Sequence, residues 1–249
     1  MFESVRSDIQ AIFDRDPAVK SVAEVWLAYP GFHAVLAHRL THRLWRADWR
    51  LLAKVISHIA RFFSGVEIHP GANIGRGFFV DHGAGVVIGE TSEIRDNVTL
   101  YHGVTLGGIA PAVGSSAQVD QKRHPTIGDS AIIGSGAQVL GPITVGANAR
   151  VGANAVVLRD VPEGATVVGN PARIAKARRG DQPKFEAYGA EFGEVSDPVA
   201  RVIESLLDQL EAMKAQVTEL EARQSDQEQR LLPPWQGDVK DLDGDTTKE

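Results

Sequence analysis

The chain has 249 residues, with 26 basic and 32 acidic side chains giving a net charge of −6, and 25 glycines but no cysteine. That balance leaves no broad basic field for nucleic acid, and the lack of Cys excludes disulfides, thiolate metal sites and a cysteine nucleophile. At 43% hydrophobic the chain can bury a sizeable core. No run of about 18 uncharged apolar residues predicts a membrane span, and the N-terminus mixes charged and apolar residues unlike a signal peptide, so a cytoplasmic protein is expected.

Residues 1–64 read as a helical segment. Phe2, Val5, Ile9 and Phe13 recur at helical spacing, as do Leu51, Val55, Ile59 and Phe62/Phe63. Asp16-Pro17 and Tyr29-Pro30-Gly31 are breaks. Between them and the last helix, His33, His38 and His42 read as a packed or solvated face.

From residue 68 the period changes to six. Aliphatic residues fall at Ile68, Ile74, Val80 and Val86 and, after a two-residue insertion, at Ile94, Leu100 and Leu106. They return at Ile127, Ile133, Val139, Val145, Val151 and Val157. A six-residue repeat with an inward aliphatic and Gly or Ala beside it predicts a mainly β protein, a parallel β-helix whose coils each have three short sides. The domain extends over 65–180. Its one long break lies between Leu106 and Ile127, where a surface excursion ending in Arg123-His124-Pro125 is expected to carry function.

Residues 181–196 read as a linker. Asp197-Pro198 then supplies a helix start, and Val199, Ile203, Leu206, Leu210, Met213, Val217 and Leu220 follow a heptad seam. The expectation is a coiled-coil helix over 197–231, joining subunits in parallel, and a disordered acidic tail over 232–249.

The sequence lacks a phosphate-binding loop and the HExxH zinc motif. Among the solenoid histidines, His82, His102 and His124 have no closely spaced His pair, so no metal is expected. The remaining chemistry is general-base catalysis by a neutral imidazole, with a carboxylate fixing its tautomer. For His82 the possible partners are Glu67, Asp81 and Glu90.

The runs Glu67-Ile68-His69-Pro70-Gly71-Ala72 and Asp81-His82-Gly83-Ala84-Gly85, continuing through Val87-Ile88-Gly89-Glu90-Thr91, closely resemble serine O-acetyltransferases. So do Gly103-Val104-Thr105-Leu106-Gly107-Gly108, Arg123-His124-Pro125 and Gly169-Asn170-Pro171-Ala172-Arg173. The resemblance implies a left-handed β-helix of triangular section, a homotrimer or dimer of trimers with active sites between neighbouring solenoids, and acetyl transfer from acetyl-CoA to the hydroxyl of L-serine in cysteine biosynthesis. By this likeness His82 is the base and Glu67, where many members have Asp, its orienting carboxylate. The same likeness implies that Asp16, Asp81, Arg123 and His124 hold the amino acid and that Gly107, Gly108, Ser135 and Arg173 line the path of CoA. Cysteine is implied as a feedback inhibitor. Members that bind O-acetylserine sulfhydrylase end in Ile, whereas this chain ends Thr247-Lys248-Glu249, so that complex is not expected. The alternatives are a hexapeptide O-acetyltransferase acting on a sugar hydroxyl and a non-catalytic trimeric scaffold.

Overall fold

The computed structural model describes residues 2–109, 119, 121–175 and, further on, 209–210, 213–214 and 216–217. Four helices open the chain: α1 (Phe2–Arg15), α2 (Val22–Ala28), α3 (Pro30–Arg46) and α4 (Arg50–Ser64). Asp16-Pro17 ends α1, and Pro30 takes the first position of α3, where its missing N–H has no helical partner to lose. Ser21 caps α2 by accepting from the Glu24 N–H at 3.2 Å.

Among the described residues fifteen short strands follow: β1 (Glu67–Ile68), β2 (Asn73–Ile74), β3 (Phe79–Val80), β4 (Val87–Ile88), β5 (Glu93–Ile94), β6 (Thr99–Leu100), β7 (Thr105–Gly107), β8 (Thr126–Ile127), β9 (Ile132–Ile133), β10 (Gln138–Leu140), β11 (Thr144–Val145), β12 (Arg150–Val151), β13 (Val156–Val157), β14 (Thr166–Val168) and β15 (Arg173–Ile174). From β1 to β13 every third strand stacks on the last. The first sheet has the order β1-β4-β7-β10-β13, the second β11-β8-β5-β2 and the third β15-β14-β12-β9-β6-β3. All these pairings are parallel except β14 with β15. The chain thus winds through three sheets and turns at three edges, a parallel β-helix.

The register explains the six-residue period. Ile68, Ile88, Leu106, Val139 and Val157 stack as one inward column. Ile74, Ile94, Ile127 and Val145 form a second, and Val80, Leu100, Ile133, Val151 and Val167 a third. All but Ile74, which is partly buried, are at most 4% exposed. Each such side chain contributes roughly 1.5–3 kcal/mol by leaving water. One sequence expectation shifts. The strand position of the second coil is Ile88, not Val86, so the two extra residues lie before β4 in the turn that carries Asp81 and His82.

The helices pack on the first coils. The Arg39 guanidinium donates to Asp8 Oδ1 at 3.0 Å and Oδ2 at 3.2 Å and to the Ile74 carbonyl at 2.7 Å. That buried pair ties α1 and α3 to the solenoid, and Asp8 also accepts from the Phe78 N–H at 3.2 Å. A Cβ at Gly31 would overlap the Val80 carbonyl, so glycine sets the close approach of α3 to β3. The face of α4 against the solenoid is small: Ala53 and Ser64 are buried, and Ser57 donates to the Ile68 carbonyl at 2.7 Å. The apolar stripe predicted from Leu51, Val55, Ile59 and Phe62 turns the other way, with Leu51 79% and Phe62 82% exposed.

The chain divides into two compact units, Met1–Pro198 and Val199–Glu249. In the second, positions 209–210, 213–214 and 216–217 are helical, and Leu210, Met213 and Val217 of the heptad seam are exposed. The linker, the rest of the seam and the acidic tail lie outside the described residues.

His38 gives the stability a pH dependence. It is 3% exposed, and burial, with the charges of His42 and Arg39, pushes its imidazole down from 6.5 to about 3. Below about pH 6.5 the unfolded chain binds a proton here that the folded chain refuses, so acidification favours unfolding. We expect the melting temperature to fall between pH 7 and pH 5, and to fall less in His38→Gln; equal slopes by calorimetry would remove His38 as the cause.

Candidate active site

Two polar clusters stand on different edges of the solenoid. The first lies where the third sheet turns into the first. The turn after β3 is tight: the Gly83 N–H donates to the Asp81 carbonyl at 2.7 Å and the Ala84 N–H to that of His82 at 2.9 Å. Gly83 and Gly85 supply left-handed conformations, and His82 itself is held at φ 58°, an unfavourable value for a residue with a Cβ. The strained turn leaves the His82 ring exposed, edge-on to His102 from the next coil, with ring centroids 5.8 Å apart. Ser135 lies on the same edge one coil further on.

Asp81 and Asp16 share this neighbourhood. Asp16 is held from both sides: Tyr29 Oη donates to its Oδ2 at 2.6 Å, and the Ala18 N–H to its Oδ1 at 2.8 Å. The Asp81 carboxyl is raised above the usual range by burial first; His82 opposes the rise and the Asp16 charge adds to it. Two carboxylates whose charges act on each other beside an imidazole form a site suited to a cation. Tyr29 is pushed up by burial and by its bond to Asp16. It was not among the sequence-predicted site residues, because only the packing of α2 and α3 brings it to Asp16.

Glu67 opens β1 beside the same edge, but its Oε2 pairs with Arg61 Nη1 of α4 at 2.8 Å. No hydrogen bond joins Glu67 to His82 among the described residues. Glu90, the third partner that the sequence left open for His82, is on another edge and pairs with Arg123.

The second cluster lies where the first sheet turns into the second. It holds His69, Glu90, Thr91, Arg123 and His124. The Arg123 guanidinium donates to Glu90, and Lys122 Nζ to Glu93 Oε1 at 3.0 Å. His124 is 9% exposed, and its Nδ1 receives the Thr91 N–H at 3.1 Å. Burial, with the Arg123 charge, pushes its imidazole down to about 4, so it is neutral at pH 7. The ring lies directly over Gly89, where a Cβ would overlap it. Gly107 ends β7 near this edge and Gly108 follows it, while Arg173 is exposed on β15.

Of the predicted site residues, then, Asp16, Asp81 and His82 come together, Arg123 and His124 come together, and the width of the first sheet separates the two groups. An amino acid is too small to touch both edges of one chain. Among the described residues no group of three or more His, Asp or Glu is arranged to hold a metal ion, and no helix is long and apolar enough to cross a membrane.

A three-sided solenoid of six-residue turns, with polar clusters on its edges, defines a hexapeptide-repeat transferase; residues 124–159 match the family model "Bacterial transferase hexapeptide (six repeats)". Residues 1–37 match "Serine acetyltransferase, N-terminal". The chain is 46% identical over 230 residues to the serine acetyltransferase of Bacillus subtilis, covering 92% of this chain and 98% of that one. Soybean serine acetyltransferase complexed with serine is similar in structure, with TM-score 0.65 and 46% identity over 70% of this chain and 68% of that one. A serine acetyltransferase in complex with cysteine gives TM-score 0.66 and 42% identity over 70% and 69%. The chain belongs to the serine acetyltransferase family.

The Gly89 contact is testable. Gly89→Ala forces the His124 ring off its bond to Thr91, and overpacking of this kind costs roughly 1–3 kcal/mol. Urea melts should show that loss; an unchanged midpoint would mean that the ring gives way freely.

Proposed function

We propose that this chain transfers the acetyl group of acetyl-CoA to the hydroxyl of L-serine, giving O-acetyl-L-serine and CoA. The observation that carries the reading is the pair of carboxylates, Asp16 and Asp81, beside the exposed His82. An α-ammonium set between the carboxylates relieves their repulsion and brings the serine hydroxyl to the imidazole. Arg123 suits the α-carboxylate as a planar fork, with His124 beside it.

The two edges meet when one solenoid sets its His82 edge against the His124 edge of the next. Such a head-to-tail contact closes into a ring, and three-sided coils suit a trimer. The coils are left-handed in this reading, and the heptad helices of 197–231 add a parallel coiled coil to the assembly. The domains are then a helical segment to residue 64, the transferase solenoid over 65–180, a linker and the coiled-coil arm.

His82 takes the hydroxyl proton as the serine oxygen attacks the thioester carbon. The tetrahedral intermediate collapses with cleavage of the carbon–sulfur bond, and the imidazolium returns the proton to the departing CoA sulfur. Backbone N–H groups at Gly107 and Gly108 suit the developing oxyanion, and Ser135 and the exposed Arg173 suit the CoA chain and its phosphates. Glu67, once released from Arg61, is the carboxylate near this edge that can orient the His82 ring. Acetyl-CoA enters as a co-substrate, and nothing in the scheme requires a metal. Cysteine, with the same ammonium and carboxylate as serine, fits the same pocket and would inhibit. A sugar hydroxyl would need neither the carboxylate pair nor Arg123.

The deciding experiment is thiol release from acetyl-CoA with L-serine, sugars or no acceptor. Release is expected with serine alone, and His82→Ala should lower kcat about 10²–10⁴-fold with the fold intact; serine-independent release, or normal turnover in that variant, ends the reading. A chain truncated after residue 180 should lose thermal stability or mass by light scattering if the C-terminal helices hold the trimer, and unchanged mass and melting would exclude them.

A further inference from the structure

Thr91 sits at the centre of a closed set of hydrogen bonds. Its Oγ1 accepts from the backbone N–H of Arg123 at 3.0 Å and of His124 at 3.1 Å. A hydroxyl oxygen has two lone pairs, so both are used and its single hydrogen is left to donate. The remaining partner is His124 Nδ1, 2.9 Å away. The backbone N–H of Thr91 points at the same nitrogen from 3.1 Å. A ring nitrogen that receives two donors carries no hydrogen, so the proton of the neutral imidazole is on Nε2. Lys122 Nζ holds the Thr91 carbonyl at 2.9 Å, fixing the residue from its other side. The charged and titratable groups facing the ring are Arg123, Lys122, Glu90 and His69. The cations Arg123 and Lys122 oppose protonation, as does burial, and Glu90 alone favours it.

We infer that Thr91 is a positioning residue that locks His124 in its neutral Nε2–H form, so that His124 offers the bound amino acid a hydrogen-bond donor and takes no proton. The inference rests on the serine reading above and deepens it. The pocket then contains two histidines with opposite duties. His82 is exposed and serves as the base, while His124 is buried with its basic nitrogen already occupied.

Full-length chain carrying ¹⁵N-labelled histidine tests this, with His124→Asn identifying the ring signal. In the unsubstituted chain Nδ1 should be unprotonated and Nε2 protonated across pH 6–8, and serine KM should show no break assignable to His124. Thr91→Val keeps the backbone donor to Nδ1 but loses the hydroxyl donor and the acceptor of the Arg123 and His124 N–H groups, so it should admit a detectable share of the second tautomer and raise serine KM about ten-fold, the effect of one lost hydrogen bond to a pocket ligand. kcat should change little, because the loss falls on binding. Thr91→Ser should restore both readouts. A proton on Nδ1 in the unsubstituted chain overturns the proposal, as does Thr91→Val with unchanged tautomer and serine KM. If Thr91→Val does not fold, the spectrum of the unsubstituted chain still decides. Failure of the serine reading itself shows separately, as no serine-dependent thiol release whichever tautomer is found.

Discussion

A coil of three short strands has three edges, and polar groups from successive coils meet only if they turn at the same edge. This constraint follows from the inward columns. Each aliphatic must sit on its equivalent one coil below, as Ile88 does on Ile68 and Leu106 on Ile88, so the phase of every turn is fixed by the core. His82, His102 and Ser135 share one edge for this reason, and His69, Thr91 and His124 another. The functional groups are divided by the same packing that stabilises the fold.

Electrostatics then separates the roles within each edge. Asp16 and Asp81 lie close enough for their charges to repel, and the structure retains that tension beside an exposed imidazole. On the other edge Arg123 pairs with Glu90 and Lys122 with Glu93, while Thr91 holds the neutral His124 ring. One edge brings two carboxylate charges together, and the other presents fixed donors. A zwitterion with an alcohol side chain answers both descriptions.

Much of this was legible in the sequence. The six-residue grid named nearly every buried column residue, because one side chain per strand must point inward and only an aliphatic of that size fits. The helix breaks at Asp16-Pro17 and Tyr29-Pro30 were legible from proline chemistry. The grid misplaced the extra residues by one turn, since Val86 and Ile88 are both buried aliphatics and periodicity cannot choose between them. The outward stripe of α4 was unreadable for another reason. Helical spacing reveals an apolar face but not its direction, and here the close approach to the first sheet selects Ala53, Ser57 and Ser64. The pairing of Glu67 with Arg61, of Asp16 with Tyr29 and of Thr91 with His124 spans many residues, and no local pattern encodes it.

The strand β7 ends at Gly107 and β8 begins at Thr126 on the same edge of the solenoid, with the segment between them joining the two. Ile127 then stacks between Ile94 and Val145 as though the chain had never departed. Entry and exit at a single edge uncouple the length of that segment from the register of the stack. Insertions or deletions there add loop-closure entropy that grows only logarithmically with length, while the columns stay in step. Such a position lets a lineage reshape what surrounds Arg123 and His124 without renegotiating the core beneath them.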